Sequence, residues 1–191
     1  MVKNKLKISI VNVTPNSWKH IEDLFGSNGA CGGCWCMSWR IAKGEKWEDV
    51  KGNEAKKRLK KLITSGLAHG ALAFSGDEVI GWCSFDKRID YLKLDRAPSL
   101  KCDDAENVWS IPCFFIKKGF RGQGVAAALL KHSVKILKQQ GVKIVEGYPV
   151  KLDKELPSAF VWTGTLSLFE KAGFQVVSNK KGKQRVRKIF S

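Results

Sequence analysis

The chain has 191 residues, 43% of them hydrophobic, which suffices for one good core and, at this length, for one domain spanning 1–191 rather than two. Thirty-four Lys and Arg against eighteen Asp and Glu leave +16, a field that draws phosphate-rich partners, nucleotide cofactors and nucleic acids alike. No run nears the roughly 18 apolar residues of a membrane span, and no apolar stretch follows the basic segment Met1 to Lys7, so a cytoplasmic protein whose six cysteines stay reduced is expected.

Leu6 to Val13 alternates as a first strand, with one slip near its end. Thr14 is a fitting cap and Pro15 a fitting first residue for a helix in which Trp18, Ile21, Leu24 and Phe25 recur at helical spacing, closed by Gly26. Asn28 to Lys46 is glycine-rich, contains Cys31, Cys34 and Cys36, lacks any sustained period and reads as a long purposeful loop. A second helix is predicted over Asn53 to Ser65, with Ala55, Leu59, Leu62 and Ile63 on one face and five Lys and Arg on the other.

Gly70 to Phe74 and Val79 to Phe85 form a hairpin around Ser75 to Glu78; Asp86 to Asn107 is irregular, with one helical turn near Tyr91 to Leu94. Val108 to Ile116 is a strand interrupted by Pro112, which therefore belongs to an edge or a bulge. Val125 to Gln140 is a long helix with Ala126, Leu130, Ser133, Val134 and Leu137 on one face and Gly141 as its cap. A strand over Val142 to Tyr148, a loop from Leu152 to Gly164, a short helix from Thr165 to Ala172 and a strand pair, Phe174 to Ser178 with Val186 to Phe190, complete the order. That order implies an α/β fold whose mixed sheet has a parallel crossover in its second half.

The chemistry concentrates in Phe114 to Ala126, a strand, a basic glycine turn and a helix start. Gly122 and Gly124 let successive amides face one concavity, and the helix N-terminus adds about half a positive charge there, which suits a pyrophosphate. Walker spacing and the three-glycine dinucleotide pattern are both absent; taken alone, a Gly-x-Gly turn also joins a strand to a helix without binding anything.

In context the segment resembles the GNAT superfamily, whose Arg/Gln-x-x-Gly-x-Gly/Ala pattern is matched by Arg121, Gly124 and Ala126 after an apolar strand. A short helix ending in Gly-Phe follows in that family and looks like Leu168 to Phe174 here. The Cys-Gly-Gly-Cys-Trp-Cys-Met run and the Glu-Gly-Tyr-Pro-Val strand end look like a bacterial branch of it.

The resemblance implies a single-domain, mostly antiparallel sheet with flanking helices and a splayed fourth and fifth strand pair, a geometry Pro112 permits. It implies acetyl-CoA as co-substrate, with backbone groups of Phe115 and Ile116 on the pantetheine and Arg121, Gly122, Gln123, Gly124, Val125 and Ala126 around the pyrophosphate. The reaction it implies is an N-acetyltransferase's: direct attack by a primary amine of a small-molecule or peptide acceptor within a ternary complex. The family's tyrosine acid corresponds to Phe169 and its asparagine seven residues earlier to Trp162, so Tyr148 is expected as the acid and Glu146, two residues away on the same strand face, as the proton acceptor. Cys113 reads as a buried apolar residue, with no histidine near it in sequence to activate it.

Cys31, Cys34 and Cys36 supply three thiols without a matching pair elsewhere, so a metal site is not assigned. Their loop borders the acceptor pocket in GNAT proteins, and Trp35, Trp39 and Arg40 are expected on its wall, suited to an acidic or planar acceptor, while closing the core is the competing role for the tryptophans. Lys180, Lys181, Lys183, Arg185, Arg187 and Lys188 mark a basic terminal hairpin that could meet a CoA phosphate or RNA. A nucleic-acid-binding module is thus the second reading, supported by charge but lacking a signature; a GNAT-fold protein that binds CoA without catalysis is the third. A homodimer is compatible with the sequence.

Overall fold

A computed structural model of the chain describes residues 6–150, 161–178 and 184–190. The loop expected from Leu152 falls outside those residues up to position 160, as do Lys180, Lys181 and Lys183. The first strand, β1, is shorter than its alternation suggests, Ser9–Asn12, and pairs antiparallel with β2 at the sheet edge. Leu6 and Ile8 pack against the core ahead of it without joining the ladder.

Pro15–Ser17 forms a single 3-10 turn and then α1 runs Trp18–Phe25, ending at Gly26 with φ of 61°. Patterning missed α2, the short helix Trp47–Val50, which has too few residues to show a period; α3 follows over Asn53–Thr64. The hairpin is β2, His69–Ser75, with β3, Glu78–Lys87. Between Lys87 and Val108 the chain makes three 3-10 turns instead of one helical turn, closing a small core of Tyr91, Leu94 and Leu100.

Then come β4, Val108–Ile116; α4, Val125–Gln139; β5, Ile144–Gly147; α5, Leu166–Lys171; β6, Gln175–Ser178; and β7, Arg185–Ile189. The sheet order is β1-β2-β3-β4-β5-β7-β6, and β4 with β5, joined through α4, is its parallel pair. One face carries α1, α3 and the cysteine loop over Leu72 and Trp82; the other carries α4 and α5 over Ala71, Cys83 and Val145. The buried side of α4 is Val125, Leu129, Leu130, Ser133 and Leu137, rotated slightly from the expected face, so Ala126 and Val134 lie at its margin.

Pro112 resolves as a bulge, not an edge. Ser84 pairs with Cys113 and Asp86 with Ser110, so two residues of β4, Ile111 and Pro112, oppose one of β3. A proline without an N–H sits at no cost where the ladder is already broken. Among the described residues, no helix is long and apolar enough to cross a membrane.

Candidate active site

Pairing of β4 with β5 ends at Ile111 and Gly147, immediately before the bulge. Beyond it β4 continues alongside β3 only, and its free side opens into a cleft. The Phe114 N–H donates to the Trp162 carbonyl (2.7 Å) on that free side, whereas the Lys117 N–H donates to Ile80 of β3 (2.9 Å). Strand alternation therefore directs the backbone of Ile116 toward the cleft and that of Phe115 into the ladder. Phe115 contributes its ring to the cleft wall instead.

The turn after β4 is held by short bonds. Phe120 N–H donates to Lys117, Gln123 Nε2 donates to the Gly119 carbonyl (2.6 Å), and Arg121 Nε donates to the Ile116 carbonyl (3.0 Å). Gln123 thus braces the turn with its side chain. Gly122 and Gly124 take φ of 72° and 84°, a region costing other residues about 1–2 kcal/mol. A Cβ on either would meet nothing within 4 Å, so it would enter open space rather than clash. Gly124 caps α4, whose first amides have no intrahelical partner and whose first turn holds no acidic residue. These groups border a cavity of about 990 Å³ together with Arg121, Val125 and Ala126. Small residues beside a helix N-terminus whose first turn holds no acid form a setting that favours an anion.

At its inner end the cleft reaches a second chamber of about 310 Å³, sharing Ala30, Cys31, Phe114, Phe115 and Trp162 as the neck. Trp39, Trp47, Trp162, Cys34, Ser38 and Lys93 are on its wall, with Cys36 and Cys113 also facing it. Trp39 Nε1 donates to the Pro112 carbonyl (3.3 Å), an acceptor the bulge leaves available, and its ring lies 5.5 Å from that of Trp162. The loop carrying Trp39 holds Ala30, Trp35 and Cys36 at positive φ, strain that persists because Trp35, Cys36 and Met37 are buried in the core.

Two thiols of this chamber, those of Cys34 and Cys36, are held in the protonated form. Burial pushes Cys34 up to about 11, and the hydrogen bond with Cys113 (Sγ to Sγ 3.3 Å), followed by burial, raises Cys36 well above its ordinary value. Neutral thiols are poor nucleophiles and poor metal ligands. Among the described residues, no three His, Cys, Asp or Glu side chains are grouped to hold a metal ion.

Other expected site residues have different partners. Trp35 is core, its ring 5.8 Å from Trp18 and 5.5 Å from Phe25. Arg40 pairs with buried Asp86, stacks over Tyr91 (4.5 Å), and lines neither cavity; Asp86 also binds the N–H and Nδ1 of His69. Glu146 is fully buried, accepting from Arg185 (3.0 Å) and Arg187 (2.6 Å), with Arg88 3.5 Å away. Tyr148 is equally buried; its hydroxyl is shared with Ser110 (2.6 Å) and donates to Glu146 (3.1 Å), while burial first and the Glu146 charge second raise its pKa. Neither residue lines the cleft or the chamber.

Arg185 and Arg187 of the basic tail direct their charge inward to Glu146, Arg187 also to Asp104, and Lys188 donates to the Ala172 carbonyl (2.6 Å). Lys93 and Trp47 escaped the sequence reading: each lies in an irregular stretch or a four-residue helix, and only the fold, through the Lys93 N–H to Trp39 carbonyl bond (3.0 Å), brings the first of them to the chamber.

Phe169 stands beside the cleft but turned from it. It is buried against Phe114 and Phe174, ring centroids 6.1 and 5.1 Å away, and a Cβ on Gly147 would lie 2.2 Å from its ring. Glycine at 147 is what lets α5 settle over the end of β5.

Solved structures share this architecture. The PaiA N-acetyltransferase of Thermoplasma acidophilum, in complex with coenzyme A, is 17% identical with a TM-score of 0.56, covering 96% of this chain and 99% of its own. A GCN5-related N-acetyltransferase from Kribbella flavida is 14% identical (TM-score 0.56, 96% and 98% covered), and yncA from Salmonella typhimurium, solved with its cofactor acetyl-CoA, is 12% identical (TM-score 0.56, 96% and 94%). No curated protein matches the sequence. The acetyltransferase (GNAT) family model matches residues 36–160, about two thirds of the sequence, from the cysteine loop through β5, and the chain belongs to that family.

Proposed function

We propose that the protein is an acetyl-CoA-dependent N-acetyltransferase acting by direct transfer to an amine. One observation carries this reading: the cleft bordered by the start of α4 and the unpaired side of β4 shares its neck with a second chamber. A diphosphate suits the cradle at Gly122 to Ala126, and the cleft-facing backbone of Ile116 suits an extended amide-bearing arm laid beside β4 in place of a paired strand. The neck at Phe114 and Trp162 is where an acyl group and an incoming amine would meet. Acetyl-CoA supplies the activated acyl group; the protein supplies position and exclusion of water.

The proton chemistry differs from the family pattern. Phe169 has no hydroxyl, and Tyr148 with Glu146 braces β5 from beneath. Catalysis in this reading rests on proximity and on the apolar chamber, which keeps an amine neutral by disfavouring its charged form.

Two measurements test the reading. At a hundredfold excess over Kd, acetyl-CoA should raise Tm by about 5–10 °C, the shift for about 2.7 kcal/mol in a domain of this size. With a panel of primary amines added to take the acetyl group, free CoA should also appear, followed by chromatography because the exposed Cys31 would itself react with a thiol reagent. No thermal shift with acetyl-CoA, beside a salt-dependent gel shift with RNA, would favour the nucleic-acid reading.

A further inference from the structure

The chamber's wall is chemically lopsided. Three indoles, those of Trp39, Trp47 and Trp162, surround a space of about 310 Å³, and the Cys34 and Cys36 thiols beside them are held neutral. Among the described residues on that wall there is no carboxylate, and Lys93 is its one permanent charge. Lys93 is half-buried and forms no ion pair among the described residues. Asp95, two residues along the chain, is engaged by Arg88.

A polyamine or lysine-rich peptide would carry its second cation into a cavity bordered by no carboxylate and by one lysine, an arrangement that costs affinity. The complementary ligand has a flat apolar body for the indoles and an anion for Lys93. The volume lies at the small end for ligand sites and admits one ring system rather than a peptide segment.

Resting on the acetyltransferase reading, we infer that the acceptor is a small aromatic amine bearing a carboxylate, and that Lys93 sets this specificity by pairing with the acid. The same ammonium disfavours a second positive charge beside it, so it also helps hold the acceptor amine in its neutral, nucleophilic form. In the transfer, the amine nitrogen forms the amide bond as the thioester carbon–sulfur bond breaks, and the amine proton leaves with the thiol or to water.

The test compares initial rates of CoA formation for L-phenylalanine and L-tryptophan with those for phenethylamine, tryptamine and spermidine, in the wild type and K93M. An aromatic acid should be preferred over its decarboxylated partner by about tenfold in kcat/KM, a moderate value for one partly desolvated ion pair, and K93M should bring that ratio near unity through KM. As a readout without turnover, calorimetry of the CoA-loaded protein with 3-phenylpropionate should show binding that weakens about tenfold in K93M. Preference for spermidine or the neutral amines, no turnover of the aromatic acids, or equal losses for acids and neutral amines in K93M would overturn the inference while acetyl-CoA binding stands. Failure of acetyl-CoA to bind at all would overturn the acetyltransferase reading beneath it.

Discussion

The outer cradle and the inner chamber of one cleft are built in opposite ways. The cradle is ten consecutive residues, Lys117 to Ala126, whose glycines, basic turn and helix start act through the backbone, so its chemistry follows from local sequence. The chamber gathers side chains from 34–39, 47, 93, 113–115 and 162, and its character follows from which of them the fold brings together. A site that acts through backbone can be local; a site built of side chains is assembled from afar.

The largest expected effect separates the chamber from its support. Trp39 lies 6.3 Å from Tyr148, which is bonded to Glu146, and that carboxylate offsets Arg88, Arg185 and Arg187. E146Q keeps the shape but takes from Arg185 its carboxylate partner and leaves Arg88 and Arg187 only Asp95 and Asp104, and should cost about 3–5 kcal/mol in chemical denaturation. A stable E146Q protein with a collapsed kcat would instead restore Glu146 as the proton acceptor.

Next, G122D addresses the cradle alone. Its side chain would enter open space at the helix N-terminus and place a negative charge where the proposed function seats a diphosphate, raising KM for acetyl-CoA by about 100-fold. Acceptor KM should move far less. Comparable changes in both would mean that the two regions do not act as separate sites.

The contrast also explains what could be read in advance. Pro112 announced an edge or a bulge because it lacks a donor, and the bulge that resolves it is where β4 leaves β5. Gly122, Gly124 and the α4 start were legible because backbone conformation and helix dipole are local properties. Arg40, by contrast, is one residue from Trp39 yet turns toward Asp86, 46 positions away, and Glu146 meets Arg185 and Arg187 only through β7. Long-range ion pairs of that kind have no signature in spacing, and they decided which of the expected residues reach the cleft. Lys93 and Trp47 lay in segments too short or irregular for periodicity to give them a direction.

A third, smaller effect probes the boundary between the regions. F169Y returns the family's hydroxyl to α5, but into a site packed by Phe114, Phe174 and Gly147. It should destabilise by about 1–3 kcal/mol as an unsatisfied buried polar group, with no gain in kcat. A faster F169Y enzyme would show that this position reaches the reacting atoms after all.

The smallest effect concerns the opposite side of the chamber loop. Asp86 raises the pKa of His69 above 6.5, chiefly through their hydrogen bond. A raised folded-state pKa means that this contribution is complete below the unfolded value and fades as pH climbs through the folded one, so stability should increase on acidification across that window. Because the His69 side chain is 44% exposed, the increment should be only about 0.5 kcal/mol, and H69Q should flatten it.

The account stands on the claim that one cleft receives acetyl-CoA with its diphosphate at α4 and its acyl end at the neck. Amide chemical-shift mapping during an acetyl-CoA titration tests it most directly. The account predicts the largest perturbations at Ile116, at Gly122 to Ala126, and at the indole N–H signals of Trp39 and Trp162. Perturbations confined to the lysine-rich face of α3, with those amides unmoved, would contradict it.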